Sequence, residues 1–235
     1  MGGDIVALSG VRFVWPGRRR FALAVDDFAV PRGQRLLLTG PSGVGKSTLL
    51  SLLAGVVSPE AGEIRLIGTD IARLSARARD RFRAEHVGVI FQMFNLLPYG
   101  TVLDNVLLPL SFAPARRART EQAGGAREEA GRLLRALGLE EALFDGVQAA
   151  SLSVGQQQRV AAARALIGAP EIVLADEPTS ALDAARQSAF LDLLFAQASA
   201  AGATLIMVSH DERLAPRFDR VANLADVARA VEAAP

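Results

Sequence analysis

The 235-residue sequence contains no cysteine, one lysine, one tryptophan and one tyrosine. Without thiols there is neither a disulfide framework nor a cysteine-ligated zinc, and the chain suits a reducing compartment. Half the residues are apolar, yet no apolar run reaches the roughly 18 residues that a membrane span needs. The opening "MGGDIVALSG" lacks a basic segment followed by a long apolar one, so no secretory signal is read there. A net charge of +1 gives no global push toward nucleic acid. These absences predict a soluble cytoplasmic domain with no nucleic-acid partner.

The scarcity of lysine is the most informative of them. Of the 26 Lys and Arg residues, 25 are arginine, and Lys46 stands alone. It lies in "GPSGVGKST", residues 40–48, which fits the phosphate-binding pattern G-x-x-x-x-G-K-[ST]. Glycines allow the backbone to bend so that successive N–H groups face one concavity, which binds an anion. The positive end of the following helix adds to it. Gly40, Pro41, Ser42, Gly43, Val44, Gly45, Lys46, Ser47 and Thr48 are therefore the candidate phosphate cradle. Lys46 reaches the outer phosphates and the Ser47 hydroxyl faces Mg²⁺. A slim ammonium on a flexible stem fits inside a closed loop where a planar guanidinium does not.

Around this loop the pattern alternates. Residues 4–15 and 21–30 read as strands about a turn at "PGRRR", as in an antiparallel hairpin. "QRLLLTG" (34–40), "HVGVIFQ" (86–92), "EIVLAD" (171–176) and "ATLIMVS" (203–209) read as buried strands, with helices after the first and near 183–200. Such alternation implies an α/β fold with a mostly parallel core sheet. Residues 95–158 have no comparable strand and read as a helical insertion, clearest at "REEAGRLLRALGL". The arginine-rich "RLSARARDRFRAEH" (73–86) interleaves acids and lacks stacked aromatics, so it reads as a solvated helix face. A single domain is expected, with 1–94 and 159–235 as nucleotide-binding core plus a small N-terminal antiparallel β subdomain, and 95–158 as a helical subdomain.

Two further motifs carry chemistry. "IVLADEP" places Asp176 and Glu177 at the carboxyl edge of a strand, where α/β sheets hold ligands. Asp176 suits the magnesium shell and Glu177 suits activation of the attacking water. "LSVGQQQRVAAARAL" (152–166) opens with Ser153 as an N-cap and Gln156 completing a capping box, while Gly155 leaves room for close backbone approach. Capping alone accounts for Ser153 on local grounds.

"LSVGQQQRVA" followed by "IVLADEPTSALD" resembles the signature and acidic motifs of ABC-type ATPases. The order of phosphate loop, glutamine, signature, acidic motif and histidine covers nearly the whole chain. The resemblance implies ATP and Mg²⁺ as ligands and a homodimer in which the signature of one subunit covers the γ-phosphate on the phosphate loop of the other. A C2 pair suits that exchange. It further implies that Gln92 senses magnesium and the attacking water, and that His210 contacts the γ-phosphate. Asp183 links the two sites, Trp15 stacks on adenine, and Ser153, Gly155 and Gln156 serve the partner's nucleotide. Val154 departs from the family's usual glycine. His86 matches nothing.

"FQMFNLLPYGTVLDNVLLPL" (91–110) looks most like the lipoprotein-release, macrolide-efflux and cell-division branch, whose ATPases drive a separate permease. That implies peripheral attachment to the inner face of the membrane, with the permease contact expected on "MFNLLPYG" from Phe94 to Gly100. An ATPase subunit of an importer for a small polar solute is the alternative. A small-molecule kinase would leave the signature unexplained. A DNA-repair ATPase would need a coiled-coil insertion or zinc cysteines, and a non-catalytic module does not account for Glu177, Gln92 and His210 together.

Overall fold

The computed structural model describes residues 3–15, 22–41 and 43–231. In chain order the elements are β1 (Asp4–Val14), β2 (Ala22–Pro31), β3 (Arg35–Thr39), α1 (Lys46–Leu53), β4 (Ala61–Leu66), β5 (Thr69–Asp70), α2 (Ala76–His86), β6 (Val87–Ile90) and α3 (Val102–Leu107). They continue as α4 (Pro114–Gln122), α5 (Ala126–Ala136), α6 (Val154–Leu166), β7 (Ile172–Asp176), α7 (Ala184–Ala200), β8 (Thr204–Val208), β9 (Arg220–Asn223), α8 (Leu224–Val227) and β10 (Arg229–Val231). Two compact units form, one from residues 1–83 with 204–235, the other from 84–203.

The first unit holds an antiparallel sheet in the order β10-β2-β1-β4-β5 and a parallel set in which β3 pairs with β8 and β9. β1 and β2 pair antiparallel from Val6 with Val30 to Val14 with Ala22, the hairpin partners expected; the "PGRRR" turn lies outside the described residues. β8 is buried along its whole length and β3 from Leu36 to Thr39, as continuous apolar runs require when both faces of a strand are covered. β4, β5, β9 and β10 are additions that the sequence reading did not contain. β10 lies antiparallel on β2 from Arg229 opposite Ala24 to Val231 opposite Ala22.

In the second unit β6 and β7 run parallel, Val87 beside Ile172 through Ile90 beside Ala175, and α3 to α7 supply the helical mass. β6 is shorter than "HVGVIFQ" suggests, since His86 closes α2 and Gln92 lies in a turn. α2 buries none of its residues, the solvated face expected of its arginines. The break between α4 and α5 falls at Gly124 and Gly125, both at positive φ, a conformation glycine adopts without cost.

The carboxyl end of α6 is anchored from α4. Arg116, 1 % exposed, donates from Nε to the Ile167 carbonyl at 2.8 Å and from a terminal nitrogen to Ala165 at 3.0 Å. Arg119 Nε donates to Gly168 at 2.7 Å. Guanidinium groups at a helix carboxyl end satisfy orphan carbonyls and oppose the negative end of the dipole. Burial, with repulsion from Arg119 second, pulls the Arg116 pKa down to about 10, so it remains charged at neutral pH. Gly168 sits at φ 68°, and an added Cβ there would come within 2.7 Å of Arg116 Cβ.

Candidate nucleotide-binding site

In the first unit β3 delivers the chain into the glycine-rich loop. Gly40, Gly43 and Gly45 take φ of 149°, 84° and 109°, values that L-residues rarely adopt. Gly45 is the N-cap of α1 and, having no side chain, offers no side-chain cap to the first-turn amides. The start of α1 therefore presents N–H groups of the kind that receive an anion. Lys46 is 6 % exposed and curls back across the loop, its Nζ donating to the carbonyls of Gly40 at 2.7 Å and Pro41 at 3.1 Å. Pro41, Gly43 and Ser47 are exposed, and Val44 is half-buried. Ser42 lies outside the described residues.

Trp15 stands beside this helix. Its indole N–H donates to Thr48 Oγ1 at 3.1 Å, and its ring meets Phe13 edge-on at 5.2 Å and 84°. His210 is exposed just past β8, next to buried Ser209. Ser209 Oγ accepts from the Asp211 amide at 3.0 Å, which turns the chain at this strand end.

The second unit carries the other candidates. Asp176 closes β7, half-buried. Glu177 follows at φ 43°, a left-handed conformation that costs a non-glycine residue about 1–3 kcal/mol. The loop is fixed by Ser180 N–H to Glu177 O at 3.2 Å and by Gln158 Nε2 to Pro178 O at 2.6 Å. Asp183 is the N-cap of α7, its Oδ1 accepting from the Arg186 amide at 2.9 Å. Ser153 and Gln156 form the anticipated capping box, with distances of 2.8 and 3.3 Å. Val154, 50 % exposed, occupies the first helical position, where its Cβ is tolerated. At Gly155 an added Cβ would meet nothing within 4 Å. Ser153, Gly155, Arg159, Leu182, Arg186 and Phe190 line part of a cleft of about 480 Å³.

Gln92 is exposed in a tight turn closed by Phe94 N–H to Phe91 O at 2.9 Å. Here the structure corrects the sequence reading. Phe94, expected on an exposed contact surface, is 8 % exposed, in a turn where Phe94 and Asn95 both take left-handed backbone, φ 58° and 49°. Leu96 and Leu97 are half-buried and Gly100 is buried. The outward residues are Met93 and Tyr99, at 80 % and 75 % exposure.

Three residues missed from sequence hold these loops in place. Gln158 ties α6 to the segment after Glu177. Arg164, also on α6, donates to the carbonyls of Asn95 at 2.7 Å and Phe94, and burial lowers its pKa from the usual arginine value. Asn105, fully buried, accepts from the Leu97 amide at 2.7 Å and donates to the Leu97 and Thr101 carbonyls. Gln158 and Arg164 were legible only as polar residues on the apolar side of α6. His86, given no role, pairs through Nδ1 with Glu171 at 3.1 Å.

Residues 23–180 match the family described as ABC transporter. The chain is 44% identical over 198 residues to an Escherichia coli ABC transporter ATP-binding protein, YbbA, covering 84% of this chain and 83% of that one. It is 40% identical over 214 residues to the lipoprotein-releasing system ATP-binding protein LolD of Syntrophotalea carbinolica, covering 91% of each. Among solved structures, the dimeric post-hydrolysis ATP-binding cassette MJ0796 with ADP and Pi superposes with a TM-score of 0.78 at 33% identity, covering 93% of both chains.

Proposed function

The chain belongs to the ABC transporter family of ATP-binding proteins, and we propose that it is the ATP-hydrolysing subunit of a transporter of the lipoprotein-release and macrolide-efflux type. The observation that carries the reading is the loop from Gly40 to Thr48, with its left-handed glycines, a helix whose N-cap is a glycine and the buried Lys46. In that cradle the backbone amides receive the phosphates. The Lys46 ammonium exchanges its two loop carbonyls for phosphate oxygens, and the Trp15 ring supports the adenine.

The donor set fits magnesium, which favours a hydroxyl, a carboxylate, phosphate oxygens and retained waters over an all-protein cage. Ser47 offers the hydroxyl, with Asp176 and Gln92 holding the outer waters. Among the described residues no cluster of three or more His, Cys, Asp or Glu could hold a metal alone, and an ion arriving with the nucleotide does not require one. When bound, it offsets charge on the phosphates. Glu177 takes a proton from the attacking water, Gln92 orients that water, and His210 donates toward the γ-phosphate. Ser153, Gly155 and Gln156 serve the nucleotide of a second copy, and Asp183 lies at the junction of the two sites. The dimeric cassette among the structural relatives supports a homodimer.

No helix of the described residues is long and apolar enough to cross a membrane. Work on a membrane substrate therefore needs a permease, and attachment to it would hold the chain at the inner face of the membrane. The permease contact lies on Met93 and Tyr99 rather than on Phe94. The test is phosphate release from MgATP by the purified chain. Turnover that is abolished in Glu177→Gln while nucleotide still binds supports the reading, and a wild-type chain that neither binds nor hydrolyses ATP overturns it.

A further inference from the structure

The turn that carries Gln92 is held in a conformation that Phe94 disfavours, although asparagine tolerates it. Two successive non-glycine residues, Phe94 and Asn95, are left-handed, and local bonds account for only part of that. Phe94 N–H closes onto Phe91, and Asn95 N–H reaches Met93 O at 2.6 Å. What brackets the exit of the turn is the Arg164 guanidinium, which takes both the Phe94 and Asn95 carbonyls. Arg164 is 8 % exposed and has no ion pair among the described residues, so its donors serve these backbone oxygens. Arg164 sits three turns along α6 from Ser153, and α6 is capped at one end and anchored by Arg116 at the other. Beyond the turn, Asn105 fixes the loop a second time at Leu97. The segment bearing Gln92 is thus rigidly referenced to the signature helix.

We propose that Arg164 is a positioning residue for hydrolysis: its guanidinium holds the Phe94–Asn95 turn and sets Gln92 relative to the helix that begins at Ser153. The inference rests on the ATPase reading of Gln92. A fork with two parallel donors suits two adjacent carbonyls, and an ammonium cannot reproduce it. Movement of α6 on nucleotide binding would carry the turn with it.

Arg164→Lys keeps the charge and loses the fork. In the purified full chain it should lower kcat by about 10- to 100-fold, the scale of a slightly misplaced reacting group, with KM and MgATP binding by Trp15 fluorescence unchanged. Asn95→Val leaves the guanidinium intact and acts on an exposed residue, but a β-branched side chain resists the left-handed backbone. It should reproduce the loss. In a Gln92→Ala background each change should lower kcat by less than about twofold, because residues acting as a unit are not additive.

Equal effects in the two backgrounds would show a general structural role and overturn the proposal, as would wild-type kcat in Asn95→Val. If Arg164→Lys does not fold, Asn95→Val decides alone. Absence of turnover in the unmodified chain would instead overturn the ATPase reading itself.

Discussion

At the scale of single residues, the solitary lysine carries the plainest expectation. Lys46 is buried with its ammonium on two loop carbonyls at 2.7 and 3.1 Å, a space set for a slim charged group. Lys46→Ala removes the charge, and Lys46→Arg keeps it in a wider planar shape that the closed loop does not admit. Loss of a charge-assisted bond of about 1.5–3 kcal/mol corresponds to roughly a 10- to 100-fold weaker MgATP affinity. Both variants should show it in a titration of the single tryptophan. Affinity unchanged in both would reject the phosphate-loop assignment. Glu177→Gln keeps shape and hydrogen-bonding reach but cannot accept a proton, so turnover should fall by about 100- to 10,000-fold with ATP still bound. Full turnover would remove Glu177 from the mechanism.

At the scale of elements, much of the fold was legible. β8 is fully buried and β3, β6 and β7 are buried at all but one position each, and a continuous apolar run bounded by glycine or a polar edge announces such strands directly. The capping box at Ser153 was equally plain, because it is a local pattern of four residues. β9 and β10 were not, being three or four residues long and owing their existence to partners distant in sequence. Phe94 failed for the same reason. A phenylalanine among Asn, Pro and Gly reads as a loop residue, and its burial depends on packing that no local pattern encodes. Phe94→Asp should therefore unfold the chain, removing about 3–5 kcal/mol of packing before the cost of burying a carboxylate. A thermal melt within a few degrees of wild type would contradict that burial. Met93→Asp and Tyr99→Asp alter exposed side chains and should shift stability by less than about 0.5 kcal/mol. Their effect should appear in co-purification with the permease. Variants that remain bound to it would move the contact elsewhere.

At the scale of the whole molecule, the proposed sharing of sites calls for a second copy. The start of α1 carries no cap from its own N-cap residue, whereas α6 opens with the Ser153–Gln156 capping box; in the proposed reading the first receives a phosphate of its own chain's nucleotide and the second serves the nucleotide of a partner. In the proposed exchange two chains form a closed C2 pair, each site taking its phosphate loop from one protomer and its signature from the other. Mixing two inactive chains separates the possibilities. In a heterodimer of Lys46→Ala with Ser153→Arg, one composite site contains both defects and the other contains neither, so ATPase activity should return. At equal mixing with random pairing, half the dimers are mixed, and each has one intact site. If every chain instead completed its own site, the mixture would stay as inactive as its parts. Absence of rescue across mixing ratios, with heterodimers demonstrated by differently tagged chains, would reject the shared sites while leaving the phosphate loop and Glu177 untouched.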